Sequence, residues 1–274
     1  MQQHCLQLSV GAPYLLHAVL AFSASHLNFL LPHERRYGVT ATFHYDLSLA
    51  SYSSEITTRL DATNGDSLLG ACHLHTMLAF RNLQSADDTE EEKPFTWLRT
   101  MQGTAILRSN LCPYLEASVW HSVAVESRSW EEAFCNHLDS DNSWASLTSW
   151  ALHRLCGVDP DPMLRENPYE KPLSRLCLLM RCEIGQDKIG MFMSFIGRLP
   201  PLFVQLLDRN DSKAMLILCY WSALLSQIDQ WWIVSSAVGE CLRLCKFLDE
   251  IPDQRIRDLL GFPASKCGYV LRES

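Results

Sequence analysis

Apolar positions recur three and four residues apart through most of the chain, and no stretch alternates residue by residue, so the pattern predicts helices throughout. Leu15, Leu16, Val19, Leu20, Ser23 and Leu27 place a first helix from after Pro13 to about Asn28. Pro32 and Gly38 bracket a connection, Pro-His-Glu-Arg-Arg-Tyr, before a second helix from about Val39 to Leu60. The run Asp61-Ala62-Thr63-Asn64-Gly65-Asp66 stops that helix, and Ser67 to Gln84 reads as a third. Residues 85–94 form an acidic loop ending in Pro94, and Phe95 to Leu111 a fourth helix. Aromatic and acidic residues mix from Glu116 to Cys156, and a proline-rich loop follows. Helical patterns then run over Leu173 to Ile196, Leu202 to Asp208, Ser212 to Gln227 and Trp231 to Leu248, with a short closing helix ending near Leu260. The fold class expected is all-α: a single bundle-like helical domain over residues 1–274 with an internal hydrophobic ligand pocket.

Composition narrows the function. With 47% apolar residues the chain of 274 can bury a sizeable core. Its net charge of −8 repels phosphate, which argues against a nucleic-acid surface. Eleven cysteines without a C-x-x-C pair, and an N-terminus without a basic stretch, point to an intracellular protein with reduced thiols. The stretch Tyr14 to Leu31 carries His17, His26 and Asn28, and the other apolar run, Ala214 to Leu225, is too short to span a bilayer, so no membrane partner is expected.

Motifs for nucleotide, dinucleotide, zincin and serine-hydrolase chemistry are absent, and no cofactor is expected. His73 and His75 point about 200° apart on a helix, so they cannot share a metal ion. Cys241 and Cys245 share a helix face, but the sequence suggests no further ligands, and they read as buried small hydrophobes. No metal site is therefore assigned. Histidine draws more attention, because its pKa near 6.5 suits proton transfer at neutral pH. His17 and His26 sit in an apolar helix, where a core role competes with a ligand pocket. His33 lies in the connection beside Glu34, Arg35, Arg36 and Tyr37, where a scaffold can present reactive groups, though a solvated loop histidine reads equally well. Tyr220, Trp221, Trp231 and Trp232 supply aromatic surface for a hydrophobic or planar ligand, or core.

The stretch Pro13-Tyr14-Leu15-Leu16-His17-Ala18-Val19-Leu20-Ala21-Phe22-Ser23-Ala24-Ser25-His26-Leu27 resembles the start of the regulatory domain of fungal zinc-cluster transcription factors of the sterol uptake control type. Leu199-Pro200, the run Ala214 to Leu225 with Trp231-Trp232, and Leu260-Gly261-Phe262-Pro263 extend the resemblance over nearly the whole chain. The resemblance implies a helical domain holding a lipophilic molecule such as a sterol. The six closely spaced cysteines of that family's DNA-binding module are not in this sequence, so direct contact with nucleic acid is not expected.

Two functions compete. One is a cofactor-independent isomerase of secondary metabolism that closes a chalcone to a flavanone, similar to the fungal histidine-bearing chalcone isomerases. That similarity implies His33 as acid and base, and Arg35, Arg36 or Tyr37 would stabilise the enolate. His17, His26, Tyr220, Trp221, Trp231 and Trp232 would line its pocket. The other is a ligand-sensing transcriptional regulator without its own DNA-binding module. The missing module tilts the reading to the enzyme. Cytoplasmic location follows from the first and nuclear location from the second, and a homodimer is compatible with both.

Overall fold

The computed structural model describes residues 2–58, 60–82, 95–138, 146–158 and 167–272. The acidic loop expected over 85–94 lies outside them. The described residues form fourteen α-helices and two short 3-10 turns, without a strand, as the helical periodicity predicts. They divide into two compact units.

The first unit comprises Met1–Asn82 with Trp97–Glu126. It holds α1 (Gln2–Ser9), α2 (Pro13–Leu30), α3 (Arg35–Thr58), α4 (Gly65–Arg81), α5 (Thr96–Asn110) and the start of α6 (His121–Leu138). Pro13 opens α2 at a position where its missing N–H costs nothing. Tyr14, Leu15, Ala18, Ala21 and Ala24 make its buried face, and the small residues let α3 and α4 approach closely. Leu15, Leu68, Leu69, Leu107, Leu111 and Trp120 form the apolar centre of this unit.

The helix boundary at α3 differs from the sequence expectation. Gly38 reads as a breaker, yet the helix begins at Arg35 and runs through it. At Gly38 α3 packs closely on α2: a Cβ there would stand 3.3 Å from Asn28 Oδ1, tight enough that the Asn28 side chain would have to shift slightly. The connection shrinks to residues 31–34, and Arg35, Arg36 and Tyr37 occupy the first turn of α3 rather than a loop.

The second unit comprises Leu83–Thr96 with Ser127–Ser274. Its elements after α6 are α7 (Leu147–Cys156), α8 (Glu170–Arg181), α9 (Ile189–Gly197), α10 (Pro201–Asp208), α11 (Ser212–Leu225), α12 (Val234–Asp249), α13 (Gln254–Leu259) and α14 (Gly261–Cys267). Every residue of α11 from Ala214 to Leu225 is buried. A helix apolar on all sides must sit at the centre of its unit, and α8, α10, α12 and α14 surround it. Asp211 caps it, accepting from the backbone N–H groups of Lys213 at 3.1 Å and Ala214 at 2.9 Å. The single helix expected over Leu173–Ile196 is broken. Cys182 is extended, Gly185 is extended, and a 3-10 turn at Gln186–Lys188 precedes α9. The isolated β-branched and glycine residues at Ile184 and Gly185 end helical pairing there. Among the described residues no single helix is long and apolar enough to cross a membrane.

Candidate functional site

His33 stands exposed in the turn between α2 and α3. Beside it Arg36 pairs with Glu34 at 3.2 Å, both side chains exposed. The Arg36 guanidinium also lies 4.9 Å from the centre of the Tyr37 ring and donates to its hydroxyl at 3.4 Å. Arg35 is exposed as well. These groups share one helix entrance, the charged ones exposed and Tyr37 half-buried. That setting leaves each charge screened and lacks the dry enclosure that gives proton transfer or enolate stabilisation its strength.

The hairpin of α2 and α3 carries a more structured feature. His17 and His44 meet with their Nδ1 atoms 2.9 Å apart and their rings stacked at 5.1 Å. At that separation one nitrogen donates and the other accepts, so the pair holds a single proton between them. Burial, then the neighbouring His17, push the His44 pKa down. His26, further along α2, stacks on Phe29 at 6.4 Å. Around these histidines stand exposed apolar residues: Leu16, Leu20 and Leu27 along α2, Leu31 just past its end, and Val39, Phe43 and Leu47 along α3. Spacings of four and seven put each set on one helix face, and Val39 is 70% exposed. Contiguous exposed apolar surface of this kind marks interaction sites.

Beneath these residues lies a buried polar node for which the sequence offered no signal. Ser48 is buried in α3, donates its hydroxyl to the Tyr14 carbonyl at 2.6 Å and stands 2.7 Å from His75 Nε2. With the Ser48 proton committed to Tyr14, His75 is the donor, which fixes its neutral Nε2–H tautomer. The His75 ring meets Tyr45 and Tyr52 edge-on at 5.7 and 5.0 Å. Tyr14 in turn bonds Ser67 at 2.7 Å. Three helices are tied by this chain of bonds. Burial pushes the His75 pKa down to about 4. His73 faces elsewhere, 5.7 Å from Trp120, and burial with the Arg108 charge takes it down to about 4 too.

The four aromatic residues expected in a pocket belong to the second unit, whereas the histidines and arginines belong to the first. Trp221 is fully buried, donates its indole N–H to the Phe192 carbonyl at 2.8 Å and stacks on Phe195 at 6.0 Å. Tyr220 donates to the Leu259 carbonyl at 2.7 Å and stacks on Phe262 at 5.5 Å. Trp231 and Trp232 precede α12 in the turn after α11, Trp232 buried and Trp231 partly exposed. A separate cleft in the first unit, of about 70 Å³, is lined by residues including Gly65, Asp66, Leu111 and Ser118. Ligand pockets for drug-sized molecules run to roughly 300–1,000 Å³. Asp66 there accepts from the Ser118 hydroxyl and, at 3.2 Å, from the Val119 backbone N–H, so its polar groups already serve the fold.

No known family model matches this chain, and no solved structure matches it. It is 26% identical over 230 residues to Sterol uptake control protein 2 of Candida albicans, covering 80% of this chain and 32% of that protein. It is 20% identical over 254 residues to a Zn(2)-C6 fungal-type transcription factor of Gibberella zeae, covering 87% of this chain and 50% of that protein. The chain therefore spans between a third and a half of the length of these curated relatives. Both are regulators by name, which overturns the expectation of a chalcone-closing isomerase and of an enzyme at all. The tilt towards catalysis rested on the absence of a cysteine module. A chain that aligns with only part of its relatives gives that absence no force. What the comparisons establish is a weak similarity to fungal Zn(2)-C6 transcription factors.

Proposed function

We propose that this chain is a ligand-sensing regulatory module of a fungal transcriptional regulator, and that the molecule it senses is a sterol or a comparably lipophilic small molecule. The observation that carries the reading is the similarity to Sterol uptake control protein 2 across 80% of the chain. The all-helical architecture and the abundance of apolar surface support it. Two places suit the contact. One is the set of exposed apolar residues around His17 and His26. The other is the turn bearing Trp231 and Trp232, where Trp231 is the partly exposed aromatic side chain and Trp221 is fully buried. A ligand near either place acts by shifting a helix-packing equilibrium, which requires different affinities for the two states. The working location is the nucleus, and DNA contact is left to a separate module.

A reporter assay tests the regulatory half. The chain fused to an unrelated DNA-binding domain is expected to change reporter output several-fold when cellular sterol is depleted, a coupling of about 1–3 kcal/mol. The Trp231→Ala fusion is expected to lose part of that response at equal protein level. Output that stays constant across sterol levels contradicts the proposal.

A further inference from the structure

Four cysteines from three helices converge in the second unit. Cys219 lies on α11, Cys241 and Cys245 one turn apart on α12, and Cys267 at the end of α14. The sulfurs of the first three lie within 4.8 Å of one another. Cys219 and Cys245 are 3.6 Å apart, and Cys267 and Cys245 are 3.9 Å apart. These distances are far above the roughly 2.05 Å of a disulfide, and all four are free thiols. They are instead the edges of a coordination polyhedron: thiolates about 2.3 Å from a tetrahedral metal stand about 3.8 Å from each other.

We propose that Cys219, Cys241, Cys245 and Cys267 bind a single thiophilic d10 metal ion, Zn(II) or Cu(I). Soft sulfur ligands select these ions over hard cations such as magnesium or calcium. Cys219, Cys241 and Cys245 supply three buried sulfurs, enough for trigonal Cu(I), and Cys267, beside Cys245 but outside that set of three, would supply a fourth sulfur to Zn(II) by a small shift of the end of α14. As thiols the four make only weak contacts. Cys241 reaches the Pro263 carbonyl at 3.5 Å, and the Cys219 thiol and the Cys241 carbonyl are 3.8 Å apart. Exchanging such contacts for metal–sulfur bonds therefore gives up little. Cys267 is only partly buried, so an ion has a route inward past α14. Bound there, the ion joins α11, α12 and α14, the helices that wrap the centre of the unit. The site is independent of the lipophilic-ligand reading and stands or falls on metal binding alone.

The test uses the full chain, reduced and desalted after exposure to Zn(II) in one arm and Cu(I) in the other. Bound metal is measured by mass spectrometry, and alkylation mapping shows which thiols are protected. The expected result is about one ion per chain in at least one arm. Protection is expected on Cys219, Cys241 and Cys245, with Cys267 added in the zinc arm. The Cys241→Ala/Cys245→Ala variant is expected to lose the ion, and Cys112→Ala/Cys182→Ala to keep it. Co(II) added to the unaltered chain gives an independent readout, intense sulfur-to-cobalt charge-transfer absorption, which holds even where the double variant fails to fold. Absence of stoichiometric metal in both arms, or protection that falls on other cysteines, overturns the proposal.

Discussion

Trp221→Ala is expected to lower the unfolding free energy by about 3–5 kcal/mol, the range for removing a fully buried tryptophan. Three losses combine: the apolar area of the indole, the ring stack on Phe195, and the partner of the Phe192 carbonyl, which is left buried without its donor. Trp221→Phe retains the stack and loses the hydrogen bond, so its cost is expected to be about 1–2 kcal/mol. Denaturant unfolding of the whole chain, followed by far-ultraviolet circular dichroism, measures both. A change below about 1 kcal/mol for the alanine variant would show that the indole fills a space the unit can close or leave open. That outcome would make Trp221 a pocket wall, not a core strut.

The second large effect is acid destabilisation of the first unit. His75 is neutral in the fold with its pKa at about 4, because burial penalises the imidazolium. An unfolded histidine titrates near 6.5. As pH falls, the unfolded chain therefore takes up the proton first. The stability associated with neutral His75 is fully present above about pH 6.5 and is lost between there and about pH 4. At roughly 1.36 kcal/mol per unit, moving from pH 7 to pH 5 removes on the order of 2 kcal/mol through His75. His73 acts with the same sign. The His75→Gln variant keeps a side-chain donor for Ser48 and removes the titration. Its stability is expected to fall less steeply between pH 7 and 5 than that of the unaltered chain. Parallel slopes would show that the Ser48–His75 node does not govern acid sensitivity.

Much of the fold was legible because it follows from local periodicity. The apolar run Ala214 to Leu225 and the start of α2 at Pro13 are readable in the sequence, but of the apolar repeat expected on α2, Leu16, Leu20 and Leu27 are exposed, and the buried face is Tyr14, Leu15, Ala18, Ala21 and Ala24. The misread boundaries are places where tertiary packing overrides a local signal. Gly38 looks like a stop, yet it is a close-approach residue under Asn28. The break at Cys182–Gly185 interrupts a pattern whose apolar spacing runs on past it. The site was less legible, for a physical reason. Its pairs join positions far apart in the chain: His17 with His44, Ser48 with His75, and Cys219 with Cys245. No periodicity reports such encounters. Cys241 and Cys245 did share a readable helix face, and only the packing of α11 and α14 against it brought the other two sulfurs. His33, Arg35, Arg36 and Tyr37 were singled out for their chemical types, and the structure leaves the first three exposed and Tyr37 half-buried at a helix entrance.

Direct binding of a sterol is the measurement closest to the central claim. The purified chain is titrated against a fluorescent sterol, with an unlabelled sterol as competitor and the Trp231→Ala variant beside it. The account predicts saturable, competable binding near one molecule per chain, accompanied by a rise in the unfolding temperature as bound ligand stabilises the folded state. Weaker binding is expected in the variant if the turn before α12 makes the contact, and unchanged binding would direct attention to the apolar residues around His17 and His26. No saturable binding, with an unfolding temperature indifferent to sterols and other lipophilic molecules alike, would contradict the reading of this chain as a lipid-sensing regulatory module.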